Sequence, residues 1–323
     1  MNNKTILGPQ SKIEIINDNH QTLVKKTSTK RGEKDLLDQI NFYNNIPSEV
    51  SKYFIHMLEY NNNSFPYYYT YEFIDYTQLR DVLVNNQQLD FQKLNNIFSE
   101  IINTIHQINE EDPKPDYAFN LYLDRGIKRV NELSDMMGID LLHIPIYNKK
   151  INLTTSLNEI LIYFESIIET LQPQKVCTVH GQLGPAHIFM SEVNQEFKLI
   201  DPKGFDVLHD PVIDFCKLGK AMVYGTESIE VAKYNLKYTI TDKQIVIENF
   251  EFKEFDREKM KSVFYTLMDK IADKYYSPDF IIRLKAMILS DLIGGLPFAY
   301  KTNGEERAIA LLSAITIAIG DME

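Results

Sequence analysis

The order of hydrophobic and polar residues along the first 75 positions is typical of a small β-sheet. The segments KIEII and TLVKK flank the polar sequence NDNHQ, which predicts a β-hairpin. The segment YYYTYEFID is rich in β-forming residues and predicts a further strand. Between them, apolar residues from Leu36 to Tyr43 follow helical spacing and stop before Pro47, which predicts one helix.

After residue 75 the apolar positions change to helical spacing. The segment FQKLNNIFSEIINTIHQIN carries its apolar residues on one face, and helices are also predicted in LYLDRGIKRVNELSDMM, in SLNEILIYFESIIETL and from Asp256 onward. Two short predicted strands, KVCTVHG and EFKLIDPKG, interrupt the helices. The final run AIALLSAITIAIG is shorter than the roughly 20 residues that span a bilayer, so it predicts a buried core helix.

This order of elements predicts an α+β fold with two lobes. A β-rich N-lobe, residues 1–75, precedes a large and mainly helical C-lobe, residues 76–323, whose two strands carry polar motifs. That layout is the one found in protein-kinase-like folds. A doubly wound α/β fold is disfavoured, because it needs a regular alternation of strands and helices.

The acidic composition excludes one class of partner. The 323 residues include 45 acidic and 34 basic side chains, which give a formal net charge of −11. A nucleic-acid-binding surface is not expected, because it needs a basic face to neutralise phosphates. An acidic chain favours a cationic substrate, although only weakly.

The two cysteines indicate a reducing compartment. Cys177 and Cys216 are too few for a disulfide framework, so a cytoplasmic protein is expected. The N-terminal sequence MNNKTILGPQS has no apolar stretch long enough for a signal peptide, and no membrane partner is expected.

Polar residues with a regular spacing follow the two short strands. In VHGQLGPAHIFM, Gln182 and His187 are five positions apart, and Asp201 ends the next predicted strand in FKLIDPKG. Kinases place the residue that orients the attacking hydroxyl about five positions before a metal-binding residue, and a second metal-binding Asp ends the following strand. The spacing therefore indicates phosphoryl transfer from a nucleotide.

The motifs HGQLGPAHIFM, FKLIDPKG and HDPVIDFCKL resemble the aminoglycoside and macrolide phosphotransferase family, the choline-kinase-like branch of the protein-kinase-like fold. The family pattern is H-G-D-L-x-x-x-N/H-I-L, then I-D, then G-D-P-x-x-D, and the resemblance covers residues 179–218. A weaker resemblance points to members associated with bacterial surface-polysaccharide genes. The resemblance implies a kinase that uses ATP or GTP with Mg²⁺ and phosphorylates a hydroxyl of a small molecule, such as a sugar.

The resemblance also assigns roles to residues of the catalytic centre. Asp201 and His187 are expected to hold the metal ion, and the imidazole suggests a preference shifted toward Mn²⁺. Lys25 matches the lysine on the α- and β-phosphates, whereas Lys26 is expected to point to the other face of the strand. The helix acid that pairs with this lysine stays open, because Gln39 takes the best-aligned position and the acidic candidates nearby are Glu33, Asp35 and Asp38.

Other positions take supporting roles by the same resemblance. Candidate residues around the loop and nucleotide are His180, grouped with the catalytic residues as the loop histidine; Asp214, which braces the loop; Ser11 and Lys12 in the phosphate loop; and Glu72 and Phe73 in the hinge beside the base. Acceptor contacts are expected from Asp206, Asp291 and Tyr300.

Gln182 stands where the family has its catalytic Asp. A neutral amide accepts a hydrogen bond but does not take up a proton at pH 7. Two interpretations stay open: a phosphotransferase in which Gln182 only orients the acceptor, and a pseudokinase that binds nucleotide and metal in a regulatory or scaffolding role. An altered transfer such as nucleotidylation is permitted by the fold, but no residue points to it, and the oligomeric state is left open.

Overall fold

A computed structural model of the protein describes residues 4–8, 10–18, 21–85, 87–205, 208–275 and 279–322. In this part of the chain, the strands are β1 (Lys4–Leu7), β2 (Ser11–Asp18), β3 (Gln21–Ser28), β4 (Met57–Asn61), β5 (Tyr68–Glu72), β6 (Thr77–Gln78), β7 (Ile146–Asn148), β8 (Leu153–Thr155), β9 (Cys177–Thr178), β10 (Ile188–Met190), β11 (Phe197–Leu199), β12 (Leu208–His209), β13 (Tyr234–Ile240) and β14 (Ile245–Phe252).

The α-helices lie between and after groups of these strands along the chain. They are α1 (Glu33–Asn45), α2 (Ser48–Ser51), α3 (Leu79–Val84), α4 (Phe91–Asn103), α5 (Arg125–Met137), α6 (Leu157–Ser166), α7 (Ile168–Leu171), α8 (Val212–Tyr224), α9 (Thr226–Glu230), α10 (Arg257–Tyr275) and α11 (Phe280–Gly320). A π-helical turn, Phe119–Asp124, directly precedes α5.

The contacts between residues group the chain into two compact units. Unit 1 consists of Met1–Asp81, Gln92–Glu111 and Val176–Asp214. Unit 2 consists of Val82–Phe91, Asp112–Lys175 and Phe215–Glu323. The division into residues 1–75 and 76–323 that the sequence suggests stays a prediction.

An antiparallel five-stranded sheet in the order β1-β2-β3-β5-β4 forms the N-terminal part of unit 1. Its apolar residues join those of α1 in one cluster, which includes Val24, Leu36, Ile40, Tyr69 and Tyr71. Helix α1 ends where the sequence predicts, because the residue before Pro47 takes an extended backbone with ψ 133°. The sheet and α1 together position the side chains of β3.

Short strands position the polar motifs in the rest of unit 1. One sheet has the order β11-β10-β6, and a two-stranded sheet pairs β12 with β9. The loop of residues 179–187 connects β9 to β10, and Asp201 follows β11 after one further residue. Both predicted motif strands are present, but β9 and β11 are only two and three residues long.

Unit 2 combines helices with a four-stranded sheet in the order β13-β14-β7-β8. Helix α11 is 41 residues long and carries non-helical backbone at Asn303 and Gly304, where it bends. The apolar run of residues 308–320 lies in α11 and is mostly buried, so the predicted core helix is confirmed. The β13–β14 hairpin and strand β1 have no counterpart in the elements predicted from the sequence.

The predicted fold class is confirmed. A β-sheet dominates the N-terminal region and helices dominate the rest of the chain, which is an α+β architecture of the kinase-like type. Within the described residues, no helix is both long and apolar enough to cross a membrane.

Candidate functional site

Lys26 lies at the centre of the candidate site. It is only 7% exposed, and its Nζ lies 2.7 Å from Asp201 Oδ2 and 3.1 Å from Gln39 Oε1. Lys25 instead places its Nζ 4.0 Å above the ring centre of Tyr68. The lysine beside Asp201 is therefore corrected from Lys25 to Lys26. The physical reason is that Lys26 shares the inward side of β3 with the buried Val24, on the side that α1 covers.

The residue of α1 that meets Lys26 is an amide. The Oε1 atom of Gln39 accepts hydrogen bonds from Lys26 and, at 3.0 Å, from the Tyr69 hydroxyl. Asp35, another acidic candidate of the same helix, lies 3.5 Å from Lys203 Nζ. Since a neutral amide balances no charge, Asp201 is the counter-ion that the structure gives to Lys26.

Asp201 follows β11 in a left-handed backbone conformation with φ 60°. Non-glycine residues adopt this region uncommonly, although Asp tolerates it better than most, and such strain is often kept at functional sites. The backbone N–H donates to the Tyr43 hydroxyl at 3.2 Å, and Oδ1 accepts from the Tyr69 hydroxyl at 3.3 Å. These contacts hold the carboxylate in one orientation.

The carboxyl group of Asp201 is ionised at neutral pH. Burial by itself raises the pKa of Asp201, but the charge of Lys26 and the neighbouring His187 outweigh it and lower the pKa below its ordinary value. An ionised carboxylate is the form that binds a hard metal ion.

His187 presents one ring nitrogen to Asp201. Its Nδ1–H donates to the backbone oxygen of Gln182 at 2.6 Å, because a carbonyl only accepts. In the neutral ring, Nε2 then carries the lone pair, and it lies 3.9 Å from Asp201 Oδ2. Two ligands of one ion with bonds of about 2.1 Å can be this far apart, so the pair fits a divalent metal.

This pair would not enclose a metal ion without further ligands. Among the described residues, no group of three or more His, Cys, Asp or Glu side chains is arranged to hold an ion. Mg²⁺ in nucleotide sites is commonly held by one or two protein ligands together with phosphate oxygens and water. The donor set of Asp201 and His187 therefore fits a metal that arrives with a nucleotide.

The buried Asp214 holds the backbone of the loop of residues 179–187. Its carboxylate accepts hydrogen bonds from the backbone N–H of His180 at 2.9 Å and of Gly181 at 2.7 Å. It also accepts one from Nε2 of His106 at 3.0 Å, a partner that the sequence did not assign. Burial raises the pKa of Asp214, but His106 outweighs it and the pKa is lowered.

His180 supports the loop from the buried side. Its ring has no exposed surface, and Nδ1 accepts a hydrogen bond from the Gln182 N–H at 3.2 Å. Burial lowers the pKa of His180 to about 4, so the ring is neutral at pH 7. His180 was grouped with the catalytic residues from the sequence, and the structure makes it a positioning residue.

Gln182 lies between these two histidines in the loop. Both of its backbone polar groups are used, the N–H by His180 and the carbonyl oxygen by His187. Its side chain is half-buried and makes no hydrogen bond to any residue that the structure describes. The amide is thus free to meet a ligand.

The turn between β1 and β2 is anchored to the beginning of α1. The carbonyl oxygen of Gln10 accepts a hydrogen bond from Thr29 N at 3.0 Å, and a Cβ on Gly32 would lie only 1.9 Å from that oxygen. Ser11 opens β2, and Lys12 forms an ion pair with Glu14 at 2.7 Å. The two phosphate-loop candidates therefore lie at the beginning of β2, next to the anchored Gln10.

The hinge residues lie at the end of β5. Phe73 N–H donates to the Thr22 carbonyl oxygen at 2.9 Å, so this group is already used by the sheet. The expectation that Glu72 and Phe73 lie beside the base stays a prediction, and the N–H of Phe73 is not the backbone group that would pair with it. Glu72 and Phe73 line a cavity of about 250 Å³ together with Phe54 and His56.

The acceptor candidates lie in unit 2 or outside the described residues. Asp291 is 4% exposed and is surrounded by Arg125, Lys217 and Lys220, none of which the sequence singled out. Tyr300 is half-buried further along α11. Asp206 lies outside the described residues.

Comparison with known proteins supports the fold assignment. Neither a protein-family model nor a curated protein sequence matches the chain. Among solved structures, the GDP complex of aminoglycoside 2'-phosphotransferase-IIIa superposes with a TM-score of 0.61 at 11% identity, covering 100% of this chain and 94% of that one. A thermostable mutant of aminoglycoside phosphotransferase APH(4)-Ia gives 0.59 at 12% identity, with coverages of 99% and 95%.

A third solved structure extends the comparison to another kind of acceptor. The ethanolamine kinase of Plasmodium vivax superposes with a TM-score of 0.57 at 10% identity, covering 98% of this chain and 81% of that one. The fold of the chain is accordingly the protein-kinase-like fold of the small-molecule phosphotransferases.

Proposed function

We propose that the protein is a nucleotide-dependent phosphotransferase that acts on a hydroxyl group of a small molecule, such as a sugar. The observation that carries the proposal is the convergence of Lys26 and His187 on the ionised carboxylate of Asp201. Solved structures of the same fold support a nucleotide ligand, since they hold GDP in one case and ADP with hygromycin B in another. The nucleotide is ATP or GTP, with Mg²⁺ or Mn²⁺.

The ion pair between Lys26 and Asp201 is the part of the site that rearranges. When a nucleotide binds, Lys26 would exchange its contact with Asp201 for a contact with phosphate oxygens, and Asp201 and His187 would hold the metal. A divalent ion at this position would neutralise charge on the phosphates of the nucleotide. Gln39 keeps the Lys26 side chain in place during the exchange, because it contacts the ammonium without competing for its charge.

Gln182 orients the acceptor in this proposal. Its amide oxygen accepts a hydrogen bond from the attacking hydroxyl but takes up no proton. General-base assistance typically contributes about 10²–10⁴ in rate, so turnover is expected to be slower than with a carboxylate. Positioning carries much of the rate of phosphoryl transfer, because the transition state is loose.

A pseudokinase is the second candidate function. Two positions that carry carboxylates in the resembling family carry amides here, Gln182 in the loop and Gln39 beside Lys26. Both changes keep the shape of the site while removing negative charge. In this role the protein binds nucleotide and metal without efficient turnover and acts through regulation or scaffolding.

The decisive experiment compares nucleotide turnover in the wild type, Gln182→Asp, Gln182→Leu and Asp201→Asn, with nucleotide binding measured in parallel. If the protein is an enzyme, the wild type turns over nucleotide, and the Asp201→Asn and Gln182→Leu variants lose this turnover. If the protein is a pseudokinase, the wild type binds nucleotide without turning it over, and only the Gln182→Asp variant shows turnover. Absence of nucleotide binding in the wild type, with both metals tested, contradicts both functions.

The cellular compartment and the class of partner are also part of the proposal. Both cysteines are free thiols, and burial raises the pKa of Cys216 to about 12, so the thiols are in their protonated form. This supports a cytoplasmic protein, and the acidic net charge of −11 supports small molecules over nucleic acid as partners. Asp291 and Tyr300 are proposed to belong to the acceptor-binding part of the chain.

A further inference from the structure

Three cationic side chains converge on the buried Asp291 in unit 2. Lys217 Nζ lies 2.6 Å and Arg125 Nη2 lies 3.3 Å from Oδ1, and Lys220 Nζ lies 2.9 Å from Oδ2. The three cations come from helices α5 and α8, and Asp291 comes from α11. We call these four residues the basic cluster.

The basic cluster carries more positive charge than Asp291 can balance. Burial raises the pKa of Asp291, but Lys217, Lys220 and Arg125 outweigh it and lower the pKa well below its usual range, so the carboxylate is ionised. Within the basic cluster one negative charge then faces three positive charges, and Glu230 is a further carboxylate whose charge acts on Lys220.

An ion pair with a purely structural role does not need this excess of positive charge. One cation suffices to pair a buried carboxylate, and each further cation adds repulsion and loses part of its hydration. The side chains of Lys217, Lys220 and Arg125 are 21%, 27% and 35% exposed, so each still reaches solvent. Part of each side chain is therefore open to solvent, while the ammonium group of Lys220 is itself buried.

The backbone around Arg125 is adapted to its guanidinium group. A Cβ on Gly294, three residues after Asp291, would lie 2.8 Å from Arg125 Nη2, so glycine leaves the space that the group occupies. The π-helical turn Phe119–Asp124 ends directly before Arg125. Turns of this kind are rare inside helices and frequently mark functional sites.

We propose that the basic cluster binds a small anion that carries a phosphate or a carboxylate group. Arginine and lysine side chains around one point are the usual means by which proteins bind such groups. All four residues of the basic cluster belong to unit 2, so binding there is tested separately from the nucleotide site.

Inorganic phosphate tests the binding site independently of turnover. It should raise the thermal unfolding midpoint of the wild type, and Lys217→Met and Lys220→Met should each weaken this effect by about tenfold or more in apparent affinity. Lys217→Arg keeps the charge and should retain binding. The unfolding midpoints without phosphate show whether each variant is folded.

Two control variants separate this site from the nucleotide site. Lys128→Met removes an exposed charge from the same helix as Arg125 and should leave phosphate binding as in the wild type. Lys26→Met should retain phosphate binding at the basic cluster while losing nucleotide. If Lys217→Met binds phosphate as the wild type does, or if only Lys26→Met loses it, the basic cluster is not an anion site.

A second arm identifies the class of the anion. Acetate and glucose phosphate are titrated in place of inorganic phosphate, with glucose as the uncharged control, and thermal unfolding is again the readout. At least one of the anions should raise the unfolding midpoint of the wild type, whereas glucose should not. In Lys217→Met the apparent affinity for that anion should fall by about tenfold or more. An equal response to glucose and to the anions overturns the anion site, whereas failure of the proposed function leaves these titrations unchanged.

Discussion

Two adjacent lysines on β3 have opposite environments, and this contrast provides a test of the site. Lys26→Met removes the ammonium beside Asp201 and Gln39, whereas Lys25→Met removes one that lies over Tyr68. We expect Lys26→Met to weaken nucleotide binding by about tenfold or more, the effect of losing a charge-assisted hydrogen bond. Titration calorimetry measures the affinity, and Lys25→Met is the matched control. Equal losses in both variants would contradict the placement of the phosphate lysine.

His180 links the loop to the pH dependence of stability. Its pKa of about 4 lies below the ordinary value of 6.5, so the unfolded chain binds the proton first as the pH falls. The stabilisation by the neutral ring is complete above pH 6.5 and is lost as the pH falls from 6.5 to about 4. We expect about 2 kcal/mol of this loss between about pH 7.5 and pH 5.

Urea unfolding at these two pH values measures the loss. His180→Asn keeps an acceptor for the Gln182 N–H and should show a smaller loss than the wild type, whereas the exposed His143→Asn should behave as the wild type does. Asp201 and Asp214 have lowered pKa values, so their stabilisation is lost only in more acidic solution. If the unfolding free energy of His180→Asn falls between these pH values by as much as that of the wild type, His180 is not the source of the loss.

The sequence identified the position of the site better than the direction of its side chains. The spacing of Gln182, His187 and Asp201 placed all three correctly on loop and strand ends. The choice between Lys25 and Lys26 was wrong, because a strand alternates its faces but does not reveal which face a helix covers. That information lies in the packing of α1, which only the folded structure provides.

Helix α8 acts on the loop of residues 179–187 through the residue in its first turn, Asp214. Asp214→Asn keeps the size of the side chain but removes the charge that attracts two backbone N–H groups and His106. We expect a loss of about 3 kcal/mol in the free energy of unfolding, as for a broken buried charged network. Urea denaturation measures it. Asp279→Asn, at an exposed residue without a capping bond, is the control and should change little.

Elements with strong periodicity were predictable from the sequence, and those that depend on pairing were not. Helices α1 and α4 begin near the predicted positions, because their apolar stripes are complete. The β13–β14 hairpin was missed although its residues alternate, since one of its strands pairs in parallel with the distant β7. Strands as short as β9 depend on their neighbours more than on their own composition.

At the scale of the whole molecule, the chain passes between its two compact units five times. Unit 1 needs Val176–Asp214 as well as the N-terminal residues, and Ile200 packs against the cluster of Val24 and Leu36. We expect a fragment of residues 1–81 to lack cooperative unfolding, because it has lost part of this core. Circular dichroism during heating measures this, with the full chain as control. A sharp transition in the fragment would contradict the expectation.

The net charge describes the molecule as a whole but does not predict the electrostatic potential at a particular site. The chain carries an excess of acidic residues, yet Arg125, Lys217 and Lys220 create a positive focus around one carboxylate. Lys217 and Lys220 share α8, but Arg125 and Asp291 are far from them in the sequence, and only the packing of three helices brings all four together. Composition therefore could not predict the sign of the potential at this point.

Under the proposed function, the ion pair between Lys26 and Asp201 would make two binding events depend on each other. A nucleotide phosphate that attracts Lys26 would release Asp201 for the metal, and a metal that attracts Asp201 would release Lys26 for the phosphate. Each ligand would then remove a restraint that opposes the other, and by thermodynamic reciprocity both affinities would rise by the same factor. Such a site would respond to nucleotide and metal together more strongly than to either one alone.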